Sequence, residues 1–471
     1  MRRLYIFITG LMFVGMAYGQ QSLGNGNIIP LTQAQELALS FNKNINKSKY
    51  RFEQAKYDLA SYKSNSYPRV SLVATDFYST ASGNLGIKGG NLPIYSFNEA
   101  AGSYVPSVTV NPDGSYRMNE YALFPDQTLK LKMNNWIIGG LQISQPVYTG
   151  GKITAAVNMA EIGQQMASVN IRLSEDEVIV KVDEAYMQAV RAKEMYVVAC
   201  SYYDMLVELQ RTVDSAVRHG LRLRNDLMKV QVKLNEAELG KQQAENGFLL
   251  ARMNLCHLIG YSLDKAKTID VDTYTANQDR IIPENNGGVE QRPEYTLLEK
   301  QVELAHQEVK LANSEYKPSV ALFGSVIYAN GGELAGKKLI DNGSGTIGIM
   351  VNVPLVNFGE GSNKVRSARA KAQMASLDLD ENRELMELEI AMCRTNLDEC
   401  HTEVDIAKKS YDQASENLRV SKSAYDHGTE TLADYFDAQA IWREAAASVV
   451  EARCRLYLAY TKLLKATGQL R

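Results

Sequence analysis

The chain has 471 residues, of which 45% are hydrophobic and 22% charged, with a formal net charge of −3. That balance supplies no basic face for nucleic acid, and no nucleophile elbow, phosphate loop or HExxH motif gives the chain an enzyme's chemistry. The five cysteines are an odd number. Cys393 and Cys400 stand about 10.5 Å apart along a helix, too far for a disulfide, so they read as buried thiols. Cys400-His401 lacks further ligands at zinc-like spacing, so no metal and no cofactor is expected.

In chain order, residues 1–19 combine a basic "MRR", a short apolar run and Ala17-Tyr18-Gly19, the pattern of an export signal peptide. No later stretch approaches the ~20 apolar residues of a spanning helix. Entry into a membrane would then require a closed β-barrel. A helical pattern covers about 31–66, and "YPRVSLV" at 67–73 opens a strand. Residues 80–135, rich in Gly, Pro, Asn and Ser, read as a loop or short hairpins. Across 137–147, Ile137, Leu141, Ile143 and Val147 alternate with Gln142 and Ser144.

From Lys152 to Arg218 there is no proline, and apolar residues recur at three- and four-residue spacing. A helix that long spans roughly 100 Å. A tight turn at His219-Gly220 leads into a helix over about 222–258. After a linker at 261–292 the plan repeats: helix 293–316, strand "YKPSVALF", and a strand in which Ile347, Ile349, Val351, Val353 and Leu355 alternate with smaller or polar residues. Val351 is expected near mid-membrane. Then come a second proline-free run from Glu360 to Asp426, the turn "HGTETLADYFDAQ" at 427–439, and a last helix over about 430–466.

The duplication has a fixed offset of 208 positions. Ser215, Ala216, His219, Gly220, Asp226 and Gln231 fall on Ser423, Ala424, His427, Gly428, Asp434 and Gln439; Pro146 falls on Pro354 and Gly260 on Gly468. This predicts two equivalent repeats, 20–260 and 293–471. Helices of such length without caps imply coiled-coil packing. Four strands cannot close a barrel, for which about eight is the minimum, so several chains would have to share one.

These motifs, in this order and spacing, resemble the TolC family of outer-membrane efflux proteins. The resemblance rests on "YP" and "YKP" before the outer strands, "GLQISQPVYTGGK" and "GIMVNVPLVNFGEG" closing the hairpins, the two His-Gly turns, and "RPEY" at 292–295. It implies a mainly α protein with a membrane β-barrel: four strands per protomer in a shared twelve-stranded barrel of a homotrimer. The long helices would continue as a periplasmic α-barrel, with 261–292 as an equatorial linker. Its partners would be a periplasmic adaptor, an inner-membrane pump and outer-membrane lipid. The implied role is the passive exit duct of a tripartite efflux pump; a type I protein-secretion or metal-efflux duct shares the architecture. A trimeric coiled-coil spacer or adhesin is the competing structural reading.

The doubled turn is the candidate site. Gly220 and Gly428 supply the positive φ that ends each long helix, and His219 and His427 sit at its negative end. The first tip is basic, with Arg218, Arg222 and Arg224; the second is acidic, with Asp426, Glu430, Asp434 and Asp437. By resemblance, Asp434 and Asp437 ring the narrowest part of the channel, which would favour cations. Tyr425 and Asp226 match family positions that join a lock holding the duct shut, with Tyr425 able to donate to Asp226. This chain departs from the family pattern at the lock's arginine, where it has Glu430, with Arg222 standing 208 positions earlier, so a pair of reversed sign, Arg222 with Glu430, is expected. Leu221, Leu223 and Leu227 beside these turns would receive the adaptor.

Overall fold

The computed structural model describes residues 27–273 and 287–470. The signal peptide expected at 1–19 and the middle of the expected linker, 274–286, lie outside the described residues. The chain divides into two compact units.

The first unit comprises the chain up to Lys56, Ile162–Glu303 and Gln373–Arg471. Its principal helices are α1 (Leu31–Phe41), α2 (Lys43–Ser64), α3 (Lys152–Arg218), α4 (Arg224–Ile259), α5 (Pro293–Ser314), α6 (Glu360–Asp426) and α7 (Leu432–Ala466), several of which run on into the second unit. α3 and α6 are 67 residues each, and both begin where the sequence first permits, directly after a positive-φ glycine, Gly151 and Gly359.

One helical expectation is corrected. The pattern over 31–66 forms two helices, because Asn42 adopts extended backbone (φ −65°, ψ 129°). Its side-chain oxygen accepts the Asn44 N–H at 2.9 Å, offering the backbone a local partner in place of the helical one. The break carries Phe41 against Gly260, where any Cβ would lie 2.7 Å from the Phe41 Cβ.

The largest core gathers Ala34, Ala38 and Ile45 with Val182, Tyr186 and Val190 of α3, and Leu255 and Ile259 of α4. Two three-residue strands, β1 (Asn27–Ile29) and β11 (Ile269–Val271), lie parallel at its edge, pairing Ile29 with Val271. The Tyr186 hydroxyl donates to the Ile29 carbonyl at 2.8 Å and accepts the Asp272 N–H at 2.9 Å, so one side chain spans both strands. Asp183, fully buried, accepts from Gln35 Nε2 at 2.5 Å and Thr461 Oγ1 at 2.8 Å. A buried carboxylate without such donors would be strongly destabilising.

The second unit, Tyr57–Glu161 and Leu304–Ala372, is built on one antiparallel sheet. Its strands are β2 (Arg69–Tyr78), β10 (Gln127–Thr149), β12 (Ser319–Leu334) and β13 (Lys337–Asn352), in the order β13-β12-β10-β2. β3 (Ser82–Ile87) pairs with the opening of β10. Pro68 and Pro318 each stand immediately before a strand. Pro146 is tolerated inside β10 because β2 pairing stops at Ser144 and the β12 register shifts between Pro146 and Tyr148.

Two details differ from the sequence pattern, the start of β10 and the end of β13, while residues 80–135 take the short-hairpin form of the expectation. β10 starts ten residues before Ile137. Residues 80–135 are ordered as ribbons: β4 (Gly90–Pro93) with β9 (Tyr121–Phe124), β5 (Tyr95–Asn98) with β6 (Ser103–Pro106), and β7 (Val108–Val110) with β8 (Tyr116–Met118). β13 ends at Asn352, leaving Val353 and Leu355 outside it, since Pro354 has no N–H to continue a ladder. Val351 is therefore one residue from the strand's end, and Ile347, 90% exposed, sits well inside it.

All five cysteines are free; Cys256, Cys400 and Cys454 are buried, while Cys200 and Cys393 are only half-buried. His401 faces Tyr460, its Nε2 lying 2.8 Å from the phenolic oxygen. No helix among the described residues is long and apolar enough to cross a membrane.

Candidate functional site: the paired helical tips

Both long helices end in the same hydrogen-bond pattern. At the first tip the Leu221 N–H donates to Ala216 O at 2.8 Å and the Gly220 N–H to Val217 O at 3.0 Å. At the second, the Thr429 N–H donates to Ala424 O at 2.9 Å and the Gly428 N–H to Tyr425 O at 3.0 Å. This is a Schellman termination, which needs a left-handed residue just past the helix. Gly220 (φ 70°) and Gly428 (φ 75°) provide it. The imidazoles complete it: His219 Nδ1 lies 2.8 Å from Ser215 O, and His427 Nδ1 lies 2.7 Å from Ser423 O. A carbonyl can only accept, so Nδ1 carries the proton at both sites.

The return helices start differently. α4 has Leu223 as its N-cap, with no side-chain cap. α7 has a full capping box: Thr431 Oγ1 accepts the Asp434 N–H at 3.2 Å, and Asp434 accepts from Thr431 N–H and Oγ1 at 3.1 and 2.6 Å. Those bonds hold the Asp434 carboxyl below the usual carboxylate range. The pattern T-x-x-D at 431–434 announces this motif in the sequence. Asp437, exposed, lies one turn further along.

The tips share one apolar cluster, in which Leu206, Leu209 and Val213 of α3 meet Val230 of α4, Tyr425 of α6, and Leu432 and Tyr435 of α7. Leu227 packs on its margin. Tyr425 and Tyr435 stack with centroids 5.5 Å apart and planes 12° from parallel. Burial pushes both phenols above their ordinary pKa.

Within one chain the residues of the expected lock take other partners. Arg222 does reach the second hairpin, but onto Tyr425: its guanidinium sits 4.6 Å over the ring, and Nη2 donates to the Tyr425 carbonyl at 3.3 Å. Glu430 instead accepts a short hydrogen bond from the Ser421 hydroxyl, within its own hairpin. No ion pair joins Arg222 and Glu430 among the described residues. Nor does Tyr425 donate to Asp226, whose carboxylate lies 3.7 Å from Lys229 Nζ. The Tyr425 carbonyl, which already accepts the Gly428 N–H at 3.0 Å, has a second lone pair for the guanidinium at the negative end of α6, and the ring face beside it adds a cation–π contact. A contact between residues 203 apart leaves no sequence signal.

Leu221 and Leu223 are uncovered, at 79% and 73% exposed. Two adjacent leucines in water at the end of a hairpin are available for contact with another chain.

Long helices closed by a doubled glycine turn, with one antiparallel sheet, define the class: the fold of outer-membrane channels. It is shared with VceC of Vibrio cholerae (TM-score 0.70, 17% identity, covering 93% of this chain and 96% of that one). The CmeC outer membrane channel of Campylobacter jejuni is equally similar (TM-score 0.70, 18% identity, 93% and 86% covered). A family model described as "Outer membrane efflux protein" matches residues 34–261 and 289–469, and the chain belongs to that family. Among curated proteins, the alkaline protease secretion protein AprF of Pseudomonas aeruginosa is 24% identical over 228 residues. The match spans 46% of this chain and 46% of AprF, about half the length of each.

Proposed function

We propose that this chain is the outer-membrane exit duct of an export system, passively conducting substrates handed over by an inner-membrane pump through a periplasmic adaptor. Three copies would pool β2, β10, β12 and β13 into a twelve-stranded barrel, because a sheet with open edges is excluded from lipid. The helices of the repeats 20–260 and 293–471 would continue as a periplasmic conduit, with 261–292 between them. The single observation that carries the reading is the tip pair: one packed cluster, a cation latched across the two hairpins, and two bare leucines beside it.

In this scheme Asp434 and Asp437 from three chains form the constriction, Arg222 and Tyr425 hold it narrow, and Leu221 and Leu223 meet the adaptor, with Leu227 and Asp226 beneath them. The test is reconstitution of the purified full chain in planar bilayers. A cation-preferring channel from a trimer supports the duct, whereas a non-conducting monomer or dimer overturns it. The likeness to a protease secretion protein favours one variant of this scheme, in which an unfolded polypeptide is the cargo. Copurification of an ATP-driven exporter, against a proton-driven pump, separates the two.

A further inference from the structure

The two repeats part company where the sheet hands over to the long helix. In the first, the positive-φ position before α3 is Gly150 (φ 65°). In the second, 208 positions on, it is Phe358, held at φ 42° although it carries a side chain. A bulky residue in that region is strained, and its ring is 99% exposed, so nothing within the chain compensates. Leu355 and Val356 beside it are 87% and 68% exposed.

Next to this apolar lip is a groove of about 480 Å³, lined by Tyr316, Pro354, Asn357, Ser362, Arg366 and Arg369. The two arginines are three apart on one face of α6. Both are exposed, and neither joins an ion pair among the described residues. Lys364, on the other face, is already taken by Glu360 (2.8 Å) and Glu315 (3.7 Å). The first repeat carries Asn158 and Glu161 at the arginine positions. A pair of fork-shaped cations, a polar groove and a bare apolar lip thus occur together here, whereas the groove at the corresponding junction of the first copy has a single arginine, Arg69, in its lining.

We propose that this groove binds an anionic phospholipid, with its phosphate on Arg366 and Arg369 and its acyl chains along Leu355 and Phe358. Guanidinium matches phosphate with two parallel donors, and an amphiphile is the ligand that needs both halves of the site. The strained Phe358 is then kept for its contact with acyl chains. The proposal rests on the sheet crossing an outer membrane, which puts the junction of β13 and α6 at the phospholipid leaflet.

The test is native mass spectrometry of the full-length oligomer in detergent, titrated with phosphatidylglycerol, phosphatidylethanolamine or glycerol phosphate. Phosphatidylglycerol should be retained preferentially, and glycerol phosphate should not displace it. Retention should fall roughly thirtyfold in R366Q/R369Q, as expected for two basic residues at a lipid surface. It should stay unchanged in K408Q/K409Q, which removes equal charge elsewhere on α6. F358G, which restores the glycine of the first repeat, should lower retention without lowering the melting temperature. Equal retention of the two lipids, equal loss in the lysine control, or an F358G chain that loses its oligomeric state but keeps its lipid would each overturn the site. The last outcome would assign the lip to a neighbouring copy. Conductance of the same samples keeps the readings apart: lipid preference without conductance overturns the duct alone, and conductance without preference overturns the site alone.

Discussion

A threonine hydroxyl fixes where α7 begins. Thr431→Ala removes the hydroxyl's two bonds in the capping box while leaving the Thr431 N–H to Asp434 bond possible, and should cost about 1 kcal/mol of stability, read as a lower melting temperature at neutral pH. The Asp434 carboxyl has its pKa depressed by Thr431, so its contribution is fully present above the ordinary carboxylate pKa and disappears as pH falls through the depressed value. The gap between wild type and Thr431→Ala should therefore narrow in acid, leaving the part due to the hydroxyl accepting the Asp434 N–H; a constant gap down to pH 2 would contradict the assignment. Arg222 makes a second prediction. Arg222→Gln removes the guanidinium from the Tyr425 carbonyl and ring, and should raise the resting conductance in bilayers. Glu430→Gln disturbs only the bond to Ser421 and should leave conductance near wild type. An equal rise in both would restore the direct pairing of the two residues.

Among the elements, β13 gives the sharpest contrast. A strand crossing lipid at a tilt uses about 9–11 residues, which places Ile347 near the middle and Val351 at the rim. Ile347→Arg should cost ~2–4 kcal/mol and Val351→Arg only ~0–1, measured as the amount of folded oligomer recovered from membranes. Equal yields would mean the face or depth is misassigned. The ribbons of the first hairpin are separable. Gly90 pairs with Phe124, so excising residues 90–124 joins two chain ends that already lie together and spares the β3–β10 pairing. Assembly should be intact, and a clear rise in conductance would identify the ribbons as a cover over the pore. The limits of α3 and α6 were legible in the sequence because proline-free runs bounded by glycine leave a helix nowhere else to stop. The break at Asn42 was not, since it depends on Phe41 meeting Gly260. Short hairpins at 80–135 were legible from their Gly, Pro and Asn, but the individual strands were not, because strands so short lack a period. Of the site, the glycine turns were readable, while the seat of Arg222 was not.

For the whole molecule, β2 and β13 leave both sheet edges unpaired within one chain, a state that lipid penalises by several kcal/mol per group. In the proposed shared barrel, copies would have to meet edge to edge before the sheet is stable in a bilayer, which would couple assembly to insertion. The bare leucines of the tips play no part in that step. Leu223→Asp should therefore abolish export in cells while leaving the quantity of oligomer in the membrane unchanged, and normal export would remove the tip from adaptor contact. The small β1–β11 pair carries a different consequence, one of timing. It joins Ile29 to Val271, closing a ring of 242 residues (271 − 29), for which loop entropy alone costs about 5 kcal/mol. Three backbone pairs cannot offset that, so the ring closes only after α3 and α4 have zipped together and returned the chain to its starting point. A newly delivered polypeptide thus keeps its amino-terminal end loose until more than half of it has arrived, and that end is the part most open to proteases while it waits.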